Sequence, residues 1–205
     1  MISIVDSGIG NVASLLKMFA KLRIEAQLVR TAAEVAQARK LILPGVGHFA
    51  AAMEELRRRD LVDALNDKVL GERIPTLGVC LGMQLLTRGS EEGGVEGLGW
   101  IDADTVRFAF PASSPQEKIP NMGWRPIAPC QPTPLFPDIG KPWRFYFVHS
   151  YHVVCRNPAN ELARSRYGID YTACVVSGNI YGMQFHPEKS HRYGMQALGA
   201  FAELS

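Results

Sequence analysis

The chain has 205 residues, 47% of them hydrophobic and 20% charged, which is enough for one well-buried core and short for two. Its net charge of +2, with no long basic run, excludes nucleic-acid or membrane-surface attraction as the organising activity. Cys80, Cys130, Cys155 and Cys174 are scattered without a C-x-x-C pair, which predicts reduced thiols and neither a metal site nor a cofactor. The start, Met1-Ile2-Ser3-Ile4-Val5-Asp6, lacks a basic head ahead of a long apolar run, and no run approaches membrane-spanning length. The expectation is a single cytoplasmic α/β domain over residues 1–205.

In chain order, Ile2–Val5 reads as a short strand, and the turn at residues 6–10 opens onto Asn11, a good N-cap for a helix over Val12–Leu22. The Gly8-x-Gly10 pair lacks the third glycine and the acidic ribose partner of a dinucleotide fingerprint, so no nucleotide cofactor is expected. Runs at 25–30 and 40–43 alternate with helical patterns, which predicts parallel strands. Pro44-Gly45-Val46-Gly47 ends the second of these, where backbone N–H groups can be aimed at a developing oxyanion. Helices follow at 49–59 and 61–70, the latter capped by Gly71.

Residues 74–86 carry the central motif. An apolar run enters Gly78-Val79-Cys80-Leu81-Gly82 and a helical Met83-Gln84-Leu85-Leu86 leaves it, so Cys80 sits at a sharp strand-to-helix turn. Glycines two residues to either side allow the tight backbone and close helix packing, and the helix N-terminus favours a thiolate. Beyond it, residues 89–99 read as a solvated loop and 100–110 as β. Residues 111–116 read as a polar tip, and the proline-rich stretch up to Pro142 as an irregular surface segment. Further β runs lie near 143–148, 151–154, 171–176 and 180–185.

The last run leads into Gln184-Phe185-His186-Pro187-Glu188. A thiolate needs an imidazole to move protons, and Glu188 lies across a rigid proline where it can orient the His186 ring. His149 and His152 are the competing histidines. Neither carries an acidic residue at so constrained a spacing.

Together, the Gly-Val-Cys80-Leu-Gly-Met-Gln and Gln-Phe-His186-Pro-Glu188 blocks resemble the class I (triad) glutamine amidotransferases, over essentially the whole chain. Pro44-Gly-Val-Gly-His-Phe49, Asn121-Met-Gly-Trp124, Phe145-Tyr-Phe-Val-His-Ser-Tyr151 and His186-Pro-Glu-Lys-Ser190 resemble, within that family, the glutaminase subunits of imidazole glycerol phosphate synthases. The resemblance implies an α/β fold with a mostly parallel central sheet flanked by helices and added antiparallel strands in the C-terminal part. It also implies L-glutamine as substrate and a heterodimer in which ammonia passes to a (β/α)8-barrel cyclase partner in histidine biosynthesis.

By the same resemblance Cys80 is the nucleophile, His186 the acid/base and Glu188 its orienter. Gly45, Val46 and Leu81 match the oxyanion hole; Gly47, Gln84, Glu92, Ser150 and Tyr151 match positions that hold glutamine; Asn11, Trp124, Tyr146 and Lys189 match positions facing the partner. This chain departs from the family block in carrying Asn121 before Met-Gly-Trp and Arg125 after it, and in its His191-Arg-Tyr-Gly-Met195 tail. Those departures resemble relatives serving another acceptor, such as a sugar amidotransferase. A stand-alone γ-glutamyl hydrolase would share the Cys turn and need no partner. A non-catalytic subunit would be expected to have lost part of the triad.

Overall fold

A computed structural model of the protein describes residues 1–8, 10–112, 117–137 and 142–204. The first half runs β1 (Ile2–Val5), α1 (Val12–Leu22), β2 (Ala26–Val29), α2 (Ala32–Ala36), β3 (Leu41–Gly45), α3 (Phe49–Arg58), α4 (Leu61–Asn66), β4 (Thr76–Cys80) and α5 (Leu81–Leu85). Short strands β5 (Gly89–Ser90) and β6 (Val95–Glu96) follow, then β7 (Ala103–Arg107), β8 (Asn121–Pro129), β9 (Trp143–His149) and β10 (Tyr151–Cys155). The chain ends with β11 (Glu161–Tyr167), β12 (Ile169–Ser177), β13 (Ile180–Met183) and α6 (His191–Glu203). Among the described residues, no helix is long and apolar enough to cross a membrane.

The sheet path is β2-β1-β3-β4-β13-β12-β10-β7-β5-β6, with β8, β9 and β11 joined beside it. From β2 to β13 every pair is parallel, and β13–β12, β12–β10 and β10–β7 are antiparallel. The family-implied mixed sheet is therefore present. Strands β1, β3 and β4 are buried along their whole length, as parallel strands with helices on both faces must be. Their side chains alternate between two apolar clusters. Ile2, Ile4, Ile42, Leu77 and Val79 pack with Phe19 and Phe201 of α1 and α6, while Val5, Leu41 and Leu43 pack with Phe49, Met53 and Leu61 of α3 and α4.

Several expectations need correcting. Asn11 precedes α1, but its side chain makes no capping bond; only its carbonyl accepts, from Ser14 and Leu15. The helix expected over 61–70 stops at Asn66 and continues as a π-type turn, Asp67–Gly71, so Gly71 lies inside the turn rather than capping it. The loop expected at 89–99 contains β5 and β6, paired through Gly89↔Glu96 and Ser90↔Val95. The proline-rich stretch is partly regular. Within it β8 pairs antiparallel with β9 from Asn121↔His149 to Ile127↔Trp143, and Pro126 and Pro129 interrupt only its donor pattern. Residues 113–116 of the expected polar tip, residues 138–141 of the proline-rich stretch, and Ile9 of the first turn lie outside the described residues.

Candidate active site

Three adjacent parallel strands end together. Gly45 of β3 stands opposite Cys80 of β4, and Met183 of β13 stands opposite Val79 on the other side. Chemistry in open α/β sheets collects at such carboxyl ends. The β3 loop, the Cys80 turn and the His186 segment are thus neighbours in space although 141 positions separate Gly45 from His186 in the sequence.

Cys80 has φ 56° and ψ −111°, a conformation costly for a side chain with Cβ and characteristic of a strand-to-helix elbow. The flanking glycines make it possible. A Cβ on Gly78 would lie 2.6 Å from the Gly82 carbonyl oxygen, and one on Gly82 would lie 1.8 Å from that of Leu43. Backbone therefore packs on backbone here. The helix that follows is only five residues long, so its first N–H groups, rather than a long dipole, are what it offers the sulfur.

His186 follows β13, and its Nδ1 lies 2.8 Å from Glu188 Oε1, with both side chains almost fully buried. Burial alone would lower its basicity, but hydrogen bonding to Cys80 and Glu188 outweighs burial and raises the imidazole to about 10. An imidazolium beside a sulfur favours the anionic nucleophile and holds a proton ready for a leaving group. The segment is tied down by Ser190, whose Oγ donates to the His186 carbonyl at 2.7 Å and accepts from the Tyr146 N–H at 3.0 Å.

Cys80 and His186 open onto a cavity of about 410 Å³. Of the residues singled out from sequence, Val46, Gly47, Leu81, Gln84, Glu92, Ser150, Tyr151 and Lys189 also line it. Gly45 lies behind the lining, where a Cβ would meet the Leu81 Cβ at 2.9 Å. Glu92 Oε2 accepts the first N–H of α3, from Phe49, at 2.8 Å, which leaves a carboxylate on the cavity wall. Among the described residues no cluster of His, Cys, Asp and Glu is arranged to hold a metal.

His149 also lines the cavity, but its Nδ1 lies 2.7 Å from the Tyr151 carbonyl and its Nε2 3.0 Å from the Asn121 amide. Burial lowers its basicity to about 3, so it stays neutral and is removed as a rival to His186. His152 is buried away from the lining, and its basicity is also lowered by burial. Of the other thiols, Cys174 is fully buried and held well above its ordinary value by desolvation, and burial raises Cys155 to about 12.

Trp124, Tyr146 and Lys189 come together on the surface next to His191. Trp124 stacks on His191 with centroids 5.6 Å apart, meets Tyr146 edge-on at 6.2 Å, and the Lys189 ammonium lies 5.8 Å from the Tyr146 ring centre. Helix α1, which Asn11 precedes, packs against the turn at 187–189. Sequence reading missed Gln184, Ser190 and His149 as structural partners of the site. Gln184 and Ser190 sit inside the block around His186, so the block itself was the available signal.

The glutamine amidotransferase class-I family pattern matches residues 3–201. The imidazole glycerol phosphate synthase subunit HisH 2 of Pseudomonas aeruginosa is 46% identical over 204 residues, covering 100% of both chains. The subunit of the same name from Methanococcus maripaludis is 46% identical over 201 residues and 98% of both. Among solved structures, a glutamine amidotransferase crystal structure superposes with TM-score 0.72 at 19% identity over 99% of both chains, a likeness of fold. PurLQS from Thermotoga maritima gives 0.71 at 17% identity over 98% of this chain and 96% of that one. With the family pattern spanning residues 3–201 and full-length relatives at 46% identity, the chain belongs to the class-I glutamine amidotransferases.

Proposed function

We propose that the chain, acting as one glutaminase domain, hydrolyses L-glutamine to glutamate and ammonia through Cys80, His186 and Glu188. The observation that carries this reading is the left-handed Cys80 elbow on a cavity shared with a buried His186–Glu188 pair. In the proposed reaction the Cys80 sulfur attacks the side-chain amide carbon, and charge moves to the oxygen. The N–H groups of Val46 and Leu81, with Gly45 shaping the strand behind them, are the oxyanion donors. His186 gives its proton to the departing nitrogen, the C–N bond breaks, ammonia leaves, and the acyl group stays on the Cys80 sulfur as a thioester. Water then attacks the thioester carbon, its proton goes to His186, and glutamate leaves as the sulfur is regenerated. Glu188 keeps the imidazole oriented throughout.

Glutamine specificity follows from the cavity wall. Glu92 is the partner for the substrate ammonium, and Gly47, Gln84 and the Ser150–Tyr151 backbone hold the rest. An analogue lacking either charged group would leave buried polar atoms unpaired.

The ammonia is proposed to pass to a (β/α)8-barrel cyclase subunit in a cytoplasmic heterodimer of histidine biosynthesis. Relatives named as imidazole glycerol phosphate synthase subunits support this. The Trp124–Tyr146–Lys189 cluster is the proposed docking face, together with Asn11 ahead of α1, the helix that packs on the 187–189 turn. Delivery to a different acceptor is the second reading, favoured by His191, which stacks on Trp124 at that face; Asn121 and Arg125 lie on the opposite side of β8, bonded to each other beside His149 and Tyr167.

Cys80→Ser should abolish glutamine hydrolysis, and a glutamine-like electrophile should label Cys80 in preference to the other three thiols. His186→Asn should lose about a hundred- to ten-thousandfold in turnover and Glu188→Gln less, because the latter keeps a hydrogen-bonding group beside the ring. Retained turnover in Cys80→Ser, or equal losses in the two other variants, would sink the assignment.

A further inference from the structure

Gln184 is fully buried, follows β13, and belongs to no part of the triad. Its amide orientation is fixed by its neighbours. The Tyr151 carbonyl can only accept, so the Gln84 amide atom 3.1 Å from it must be nitrogen. That same nitrogen lies 3.0 Å from one amide atom of Gln184, which must therefore be oxygen. The other end of Gln184 is left as N–H, and its Nε2 lies 4.0 Å from Cys80 Sγ, the outer reach of an N–H···S contact.

The Tyr151 carbonyl is held from its other side as well. It accepts from His149 Nδ1, which makes His149 Nε2 an acceptor for the Asn121 amide, and the Asn121 oxygen in turn accepts from Arg125 Nε at 2.9 Å. Every donor in this chain has one consistent direction. Because the two arms converge on a carbonyl, the chain transfers no proton; it fixes positions.

We propose that Gln184 is a further catalytic residue, an amide donor to the Cys80 sulfur that stabilises its anionic form and aims it into the cavity. Gln84 and the Arg125–Asn121–His149 arm are positioning groups that keep this donor from rotating. The inference rests on Cys80 being the nucleophile. Opposite Gln184, the charged and titratable groups around Cys80 are His186 and Glu188 after β13, Glu92 after β5, Lys189 ahead of α6, and His149 and Tyr151 of β9 and β10. Gln184 adds to these groups an uncharged amide donor at the sulfur. Losing it should weaken the anion without removing any charge.

The test is the rate of Cys80 alkylation by iodoacetamide as a function of pH, in the full chain and in Gln184→Met, which nearly conserves volume. Loss of one hydrogen bond to a charged group predicts an alkylation profile displaced upward by about one pH unit, with the rate on its rising limb about tenfold lower. Turnover should fall about ten- to a hundredfold with KM within about twofold. A second measurement needs no substitution. The Gln184 side-chain amide resonance should move with the ionisation of Cys80 in the unaltered chain and stop moving once Cys80 is alkylated. An unchanged alkylation profile in folded Gln184→Met, or an amide resonance indifferent to Cys80, overturns the proposal. Alkylation with no preference for Cys80 would instead take down the nucleophile assignment, and this inference with it.

Discussion

Two histidines on one cavity are driven in opposite directions, and the cause is the charge of their partners. His186 is raised to about 10: burial works against the proton, but Cys80 and Glu188 more than offset it. His149 hydrogen-bonds a neutral carbonyl and an amide, so burial, with His152, His186 and Arg125 nearby adding to it, wins and lowers it to about 3. The consequence for stability is specific to acid. Between about pH 6.5 and pH 3 the unfolded chain binds a proton at residue 149 that the folded chain refuses, so this residue's contribution, complete above pH 6.5, is lost progressively as pH falls. From pH 7.5 to pH 5 that amounts to about 2 kcal/mol. Urea unfolding at the two pH values should therefore show a smaller drop for His149→Gln than for the unaltered chain. Equal drops would mean that position 149 is hydrated or charged in the folded state.

At the scale of elements, the elbow depends on the absence of side chains where α5 crosses β3 and β4. Gly82→Ala would drive a Cβ to 1.8 Å from the Leu43 carbonyl oxygen, so strand and helix must part, at a cost of about 3 kcal/mol. Gly71→Ala is the contrast. No atom lies within 4 Å of a Cβ there and the backbone is not left-handed, so this substitution should be neutral or stabilise by about 0.5 kcal/mol. Thermal melts of the two variants decide it, and similar Tm values would show that the close approach is not needed. The same comparison explains what was legible in the sequence. The elbow could be read because its glycines flank Cys80 symmetrically, and the parallel strands because they are apolar on both faces. Strand β11 could not, since its buried Ala163 and Ser165 alternate with exposed Arg164 and Arg166, a pattern with little apolar contrast. Strand β8 hid behind its prolines. The Gln84–Gln184 contact spans 100 residues and the Gln184–Cys80 contact 104, so only the folded sheet brings these side chains together.

For the whole molecule, the catalytic parallel half and the half bearing the aromatic surface meet between β9 and the segment after β13. Phe145 stacks on Phe185 with centroids 3.7 Å apart, and the His186 N–H donates to the Tyr146 carbonyl at 2.9 Å. Tyr146 thus holds His186 through its backbone while its ring sits among Trp124 and Lys189 on the proposed docking face. A partner bound on the proposed face would act one backbone hydrogen bond away from His186. The loop 44–47 is proposed as a second point of control. Gly47 already has φ +100° with open space around it, so a peptide rotation beside it meets little resistance and can turn an N–H toward or away from the oxyanion. Ammonia released without an acceptor is lost to water, so a glutaminase feeding a synthase gains from a resting state with the donor turned away and a partner-bound state with it turned in. Glutaminase rates should therefore be slow for the chain alone, higher with the barrel subunit, and far higher with barrel and acceptor together. The gain should be mainly in kcat, since the oxyanion donor acts on the transition state rather than on bound glutamine. If all three rates were equal, partner control would be refuted and a hydrolase working alone would be the better description of the chain.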